Sequence, residues 1–387
     1  MLRNHLSEEV LDLAAFAREV AERKIGPLVE KVERDQTFSP AIRDVLAEAG
    51  FLGLIVPERF GGSDTNLFDE LVVVEEIARV YPSAATYLTA HWVSSKLLVR
   101  AADGGQSDDW LLDALQKIAA GEWLGALGAT EPEAGSDLAS VKTRSELDGD
   151  TWVTNGAKRF ITNGGFSDFI ALVVRTGEAG SKGISILFAE SDAPGVSAIR
   201  YEHKMGLHGS ATAELAIDNL RVPADHILGE VNDGWRMVMD GLDAGRVVVA
   251  AMALGQASSA LDHSVRYSRD RRQFGQSISE FQGVQFLLAD MEIAVATSRS
   301  IVYDAASAIV EGRPNGSHLA SIAKTHATDS AMQVTSDAVQ VHGGYGYVTD
   351  FPVEMLMRDA KIHQIYEGTN QLQRSLIARH LLRDGPR

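Results

Sequence analysis

Trp152-Val153-Thr154-Asn155-Gly156-Ala157-Lys158-Arg159-Phe160-Ile161 is the stretch on which the fold reading turns. β-Branched and aromatic residues lie on both sides of an Asn-Gly pair, the strongest short hairpin signal, so two strands joined at Asn155-Gly156 are expected. Working outward, Phe169-Ile170-Ala171-Leu172-Val173-Val174, Ile184-Ser185-Ile186-Leu187-Phe188 and Leu215-Ala216-Ile217 are further strand candidates, separated by Gly, Pro, Asp and Ser. The pattern defines a β-domain over residues 124–229.

Both flanks have helical periodicity. Before the β-region, Ser7 is a candidate N-cap, with Leu6 placed to staple against Leu11, and Val10, Leu13, Ala17 and Val20 repeat on one helix face. Pro27 closes that helix or starts the next turn. After it, Leu254, Ala257, Leu261 and Val265 share a face, and Phe281, Val284, Leu288, Met291, Val295, Val302 and Ile309 form a second seam. Long antiparallel helices are expected there. At 387 residues the chain exceeds the ~250–300 at which single cores stop growing. The reading is an α+β protein with a helical domain over 1–123, the β-domain, and a helical bundle domain over 230–387.

Composition narrows the chemistry. Hydrophobic residues make up 45% and charged residues 23%, a globular balance. A net charge of −17 lacks the basic footprint of a nucleic-acid binder and repels anionic membranes, so a phosphate-bearing ligand must be held by particular Arg or Lys residues. With no cysteine, thiol nucleophiles, thiolate metal sites and disulfides are excluded, and redox chemistry must come from a bound cofactor. The N-terminus lacks the apolar run of a secretory signal, and Val247 to Leu254 is far short of the ~20 residues that span a bilayer, so a cytoplasmic protein is expected.

Standard fingerprints for dinucleotides, nucleoside triphosphates and zinc are absent. Three other stretches stand out. In Ala129-Thr130-Glu131-Pro132-Glu133-Ala134-Gly135-Ser136-Asp137, small residues let backbone N–H groups approach a ligand. In Arg271-Arg272-Gln273-Phe274-Gly275, a guanidinium is placed to clamp a pyrophosphate. Taken singly, these two read as a loop entering a β-domain and a solvated basic turn. The third runs from Gln340-Val341-His342-Gly343-Gly344-Tyr345-Gly346-Tyr347 through Arg358-Asp359-Ala360-Lys361 to Ile365-Tyr366-Glu367-Gly368-Thr369-Asn370-Gln371 and is far more specific.

Together with Lys204-Met205-Gly206 and Asn219-Leu220-Arg221-Val222-Pro223, these stretches resemble the acyl-CoA dehydrogenase family over essentially the whole chain. The resemblance implies an N-terminal helical domain, a β-barrel-like middle domain and a C-terminal four-helix bundle, assembled as a homotetramer with one FAD per subunit. By matching positions, Leu127, Ala129, Thr130 and Ser136, with Phe160, Ile161 and Thr162, line the flavin and its phosphates, and Ser136 also touches CoA. Arg271, Phe274, Gln282, Gln340, Gly343 and Gly344 hold the adenosine diphosphate across a subunit interface, with Thr369 and Gln371 as the last FAD contacts. Asp243, Arg246 and Gly368 belong to the substrate site.

Glu367 matches the family's base. A thioester α-proton is only weakly acidic, so its removal needs a carboxylate held close while the carbonyl oxygen is stabilised. The resemblance implies that the Glu367 backbone N–H and a flavin ribityl hydroxyl hold that oxygen, that the β-hydride passes to flavin N5, and that electrons leave to an electron-transfer flavoprotein. No metal is expected. His342 and His363 read as packing residues rather than ligands, and Met237, Met239 and Met252 as core fillers.

The chain departs from the family pattern in places. Some members carry the base at the position of Gly245, where glycine cannot serve; Phe160 stands where many have Trp, and His208 replaces an Arg. An acyl-CoA oxidase on the same fold, or a non-catalytic binding protein, are the rival readings. Tyr81, Tyr87, Leu88 and His91 are candidates for closing the acyl cavity, and the absence of Arg from Pro82 to Ser95 favours a short or branched monocarboxylic acyl group.

Overall fold

The computed structural model describes residues 6–384. Six helices come first: α1 (Glu8–Val20), α2 (Gly26–Asp35), α3 (Pro40–Glu48), α4 (Leu67–Val80), α5 (Pro82–Asp103) and α6 (Asp109–Ala119). Ser7 does cap α1, its hydroxyl accepting the Val10 N–H at 3.3 Å. The staple does not form, because Leu11 faces outward while Leu6 packs with Val10, Ala14 and Val72. Helix α1 reaches α2 through a π-helical turn, Ala21–Ile25, and Pro27 sits in the first turn of α2, where its missing N–H costs nothing.

Seven strands follow: β1 (Gly125–Gly128), β2 (Arg144–Asp148), β3 (Thr151–Thr162), β4 (Phe169–Arg175), β5 (Ile184–Glu190), β6 (Val196–Tyr201) and β7 (Thr212–Pro223). They make one curled sheet in the order β1-β4-β2-β3-β7-β6, with β5 on β4. The expected hairpin at Asn155-Gly156 is not there. β3 runs straight through those residues, and the turn falls earlier, at Gly149-Asp150 between β2 and β3. Asn155-Gly156 instead marks a bulge against β7, where Asn155 Oδ1 accepts the Asn219 N–H at 2.8 Å and a side chain on residue 156 would collide with Thr143. A bulge and a tight turn favour the same residues, since both need an unhindered backbone.

β4 is buried along its whole length, which is why its sequence is continuously apolar rather than alternating. Phe169, Ala171 and Val173 join the helical core, while Ile170, Leu172 and Val174 join a separate core inside the sheet. The sheet is therefore fixed to the helices by one face and packed on itself by the other.

The chain ends in α7 (Gly234–Asp270), a small ribbon of β8 (Arg272–Gln273) and β9 (Gln276–Ser277), then α8 (Gln282–Val310), α9 (Gly316–His342), α10 (Val353–His363) and α11 (Asn370–Asp384). α7 packs on α9 and also on α4, and α8 packs on α9. The predicted seam is internal, with Met291, Val295 and Val302 buried and Leu288 and Ile309 against the core. Among the described residues, α8 alone has the length and apolar composition of a membrane-crossing helix.

Candidate active site

Glu367 lies in the short link between α10 and α11. Its backbone is left-handed, with φ of 55°, a costly conformation for a residue with a side chain, and Gly368 follows with φ of 85°, which glycine adopts freely, so the chain doubles back. Gln373, one turn into α11, donates to the carbonyls of Glu367 and Gly368 at 3.4 and 3.3 Å. The side chain of Lys324, from α9, donates to Gly368 O and Asn370 Oδ1, each at 2.8 Å. Asn370 Nδ2 in turn donates to Thr328 Oγ1 and Asp329 Oδ1. Held on both sides, the link presents the Glu367 carboxyl inward.

Among the described residues that carboxyl has no protein partner at Oε2, although the atom is buried. Among the described residues the Glu367 N–H likewise has no protein acceptor. Burial raises the carboxyl above the ordinary range, and the charges of Arg246 and Lys324 act in the opposite direction. Arg246 pairs with Asp243 one turn earlier on α7, and its buried Nε is unpartnered. Behind the link, His363 sits between Gln256 Oε1 and Tyr366 Oη at 2.7 Å each, and burial drives its ring down to about 3, so it is neutral. A carboxylate with one buried, unpaired oxygen beside two cations and an unpaired N–H is an arrangement for receiving a polar ligand atom and a proton.

Gly245 completes the geometry. A Cβ built there would stand 3.2 Å from Glu367 Oε2 and 3.9 Å from Val93 Cγ2, so the glycine keeps the face of the carboxylate clear.

The remaining candidates fall into two groups. Leu127 lies in β1 and Ala129 and Thr130 follow directly after it, and the Arg159 N–H donates to Thr130 O at 2.8 Å, which sets Phe160, Ile161 and Thr162 alongside. Ile161 is buried, but Phe160 is left-handed and 57% exposed, with the Arg159 guanidinium 5.0 Å from its ring. Ser136 is exposed on the following loop. Lys158, buried under this region, bonds Glu131 Oε1 at 2.8 Å and Val173 O at 2.6 Å, and burial lowers it to about 8.

In the second group, Arg271, Gly343 and Gly344 line one cavity of about 720 Å³ together with Tyr267, Tyr345 and Asp350. The Arg271 guanidinium lies 5.3 Å from the Tyr345 ring and has no carboxylate partner among the described residues, and a Cβ on Gly343 or Gly344 would meet nothing within 4 Å. Gln340 is exposed and immediately precedes Val341, which lines this cavity; Phe274 is 94% exposed, and neither it nor Gln282 lines it. Thr369 and Gln371 flank the Glu367 link, where Thr369 Oγ1 accepts the Leu372 N–H at 3.2 Å.

Four residues expected at the acyl cavity are instead committed to the fold. Tyr81 donates to Glu33 and Tyr87 to Gly209 O, while His91 bridges Leu52 O and the Gly125 N–H and is held neutral by burial, at about 4. Leu88 is wholly buried in the helical core. Lys324, Asn370, Gln373 and Val93 were not anticipated. Only Lys324 leaves a trace in sequence, as a charge beside the buried alanine stripe Ala320, Ala323, Ala327 and Ala331.

Sequence profiles for the N-terminal, middle and C-terminal domains of acyl-CoA dehydrogenases match residues 7–122, 126–220 and 232–382. The probable acyl-CoA dehydrogenase FadE25 of Mycobacterium tuberculosis is 41% identical over 98% of this chain and 96% of its own. Butyryl-CoA dehydrogenase from Megasphaera elsdenii superposes with a TM-score of 0.92 at 37% identity, covering 98% of this chain and 99% of its own. A chain in the structure of the electron transferring flavoprotein of Acidaminococcus fermentans gives 0.94 at 40% identity, covering 98% and 100%. The chain belongs to the acyl-CoA dehydrogenase family. It is an oxidoreductase acting on acyl-CoA.

Proposed function

We propose that this protein catalyses the α,β-dehydrogenation of an acyl-CoA thioester to the trans-2-enoyl-CoA in the cytoplasm, with Glu367 as the general base. The observation that carries the reading is the buried, unpartnered Glu367 Oε2 facing the space that Gly245 leaves open. A base must sit within hydrogen-bond reach of the proton it takes, and a desolvated carboxylate is a stronger base than an exposed one. The free Glu367 N–H is a donor for the thioester oxygen, on which charge builds as the α-proton leaves. The charges of Arg246 and Lys324 favour the ionised form that must accept that proton, against the effect of burial.

The residues fit FAD. Arg271, which has no carboxylate partner among the described residues, lies on a cavity edged by glycines without side-chain obstruction, which suits a pyrophosphate. The β1 and β3 residues from Leu127 to Thr162, with Ser136, Thr369 and Gln371, would hold the flavin end, and Phe274, Gln282 and Gln340 would meet the adenosine end at a subunit contact. When bound, FAD supplies the acceptor for the β-hydride. A homotetramer fits the apolar surface on α8, where Phe286 and Ile293 are both 60% exposed. Electrons would pass to an electron-transfer flavoprotein, in keeping with the similarity to a chain of the Acidaminococcus fermentans structure. Asp243 and Arg246 would complete the substrate site with Gly368.

The test is an anaerobic titration of the purified flavoprotein with a panel of acyl-CoA thioesters. Bleaching by short or branched monocarboxylic thioesters is expected. A protein that carries no FAD, or that no thioester bleaches, ends this reading. Re-oxidation by oxygen within seconds would instead mark an oxidase.

A further inference from the structure

We propose that Lys324 is a positioning residue for the base: from inside the helical bundle its ammonium group holds the Gly368 carbonyl and the Asn370 side chain, fixes the left-handed turn at Glu367, and sets a buried positive charge behind the carboxylate. The proposal rests on the reading of Glu367 as the base.

A lysine is an expensive residue to put here. Its side chain is completely buried, yet among the described residues its hydrogen-bond acceptors are a peptide carbonyl and an amide oxygen rather than a carboxylate. Burying an ammonium group without an ion-pair partner is strongly unfavourable, and an apolar residue of similar volume would pack against Ala320, Ala323 and Ala327 without that cost. Both acceptors lie within three residues of Glu367 in the chain, so what the lysine secures is the base's own backbone. Its neighbours on α9 continue the pattern. Thr328 and Asp329, one turn on, take the two amide hydrogens of Asn370, and Asp329 also accepts from Gln364 and Arg374 on either side of the link. One face of α9 thus grips the link before, at and after the base.

The charge acts separately from the clamp. Three charged groups bear on Lys324: Glu367 from the link, Arg246 from α7 and Asp329 from α9 itself. Asp329 is already engaged by Arg374, Arg246 is paired with Asp243, and His363 on α10 is neutral. Burial brings Lys324 down to about 8, so it stays mostly protonated at neutral pH and favours the ionised form of Glu367. A purely architectural lysine, needed only to start α11, would leave the ionisation of Glu367 unaffected by its removal.

The experiment compares Lys324→Gln, Asn370→Ala and Glu367→Gln in the FAD-loaded protein, following flavin reduction from pH 5 to 9 and the spectral shift caused by a non-reducible acyl-CoA thioester. Lys324→Gln keeps a hydrogen-bond donor and deletes the charge. Its reduction profile is expected to move to higher pH by about one unit, a tenfold loss below the parent midpoint, with thioester binding retained. Asn370→Ala keeps the charge and removes one acceptor; kcat is expected to fall about tenfold with KM and the pH midpoint unchanged, the size of a modest misplacement. If the Lys324→Gln profile superposes on the parent's while Glu367→Gln is inactive, the proposal is overturned. Should Lys324→Gln not fold, an Asn370→Ala variant with parental kcat overturns it as well. Activity in Glu367→Gln would count against the base assignment itself.

Discussion

Gly245 and Glu367 face each other closely: a Cβ on Gly245 would lie 3.2 Å from Glu367 Oε2, so any side chain there would press on the carboxylate. The proposed base is thus served by an absence on the neighbouring helix. Gly245→Val is expected to lower the rate of flavin reduction roughly 10²-fold by displacing the carboxylate or the thioester, while FAD occupancy is kept. Rapid-mixing kinetics and the flavin-to-protein absorbance ratio measure the two effects.

Glu367→Gln is expected to retain fold, FAD and thioester binding and to lose flavin reduction by at least ~10²-fold, the lower range of what a positioned general base contributes. Solvent exchange of the substrate α-proton must stop together with bleaching. Bleaching near the parent rate would remove Glu367 from the chemistry.

Burial raises the Glu367 carboxyl, and a base works only when ionised, so flavin reduction should increase with pH through a midpoint above the ~4.3 of an ordinary glutamate. An apolar acyl chain strips more water from the site, which moves the midpoint further up at saturating substrate. Profiles taken at low and saturating thioester test the sign; coincident or descending curves would contradict it.

Arg271→Ala is expected to reduce FAD retention and loosen the oligomer together, because an unneutralised guanidinium on the glycine-edged cavity is the natural pyrophosphate ligand. Flavin occupancy after gel filtration and mass in solution report both. Full occupancy in an intact oligomer would exclude Arg271 from the cofactor site.

Asp359 on α10 is wholly buried, and burial, reinforced by the charge of Glu33, pushes its carboxyl up to about 8. The folded chain therefore holds a proton that the unfolded chain releases near ~3.9. Stability linked to this group is complete below the unfolded value and is lost as pH rises toward 8. Asp359→Asn, which can still accept the Leu207 N–H now bonded at 2.6 Å, should gain in melting temperature relative to the parent between pH 5 and 8. A difference that does not change with pH would argue against a protonated Asp359.

The order of helices, sheet and helices was legible because periodicity changes where burial changes, and β4 announced itself by an unbroken apolar run. Asn155-Gly156 misled because the signal is for a backbone freedom that a bulge uses as readily as a turn. At the site, the motif around Glu367 is what marks that residue as the proposed base, and Arg246, expected near it, does act on its charge. Tyr81, Tyr87 and His91 looked free to line a cavity only because hydrogen bonds to distant groups, such as Tyr81 to the Glu33 carboxylate and Tyr87 to Gly209 O, leave no mark in local sequence. Gly245 was judged for the carboxylate it lacks, whereas its effect in the fold is steric.

His208, the residue that departs from the family's Arg, sits at 3.1 Å from Glu33 of α2, and Arg358 of α10 reaches the same Glu33 carboxylate at 3.3 Å. Tyr81, at the start of α5, donates to its other oxygen at 2.8 Å. The first helices, the sheet and the last helices are thus knotted at one glutamate. Swinging any of them outward would tear this knot, so a hinged opening is the costly way to admit a thioester. Entry and exit must then rely on loops and side chains yielding locally, and release of the enoyl product should respond to substitutions lining the route and be indifferent to linkers between the three parts.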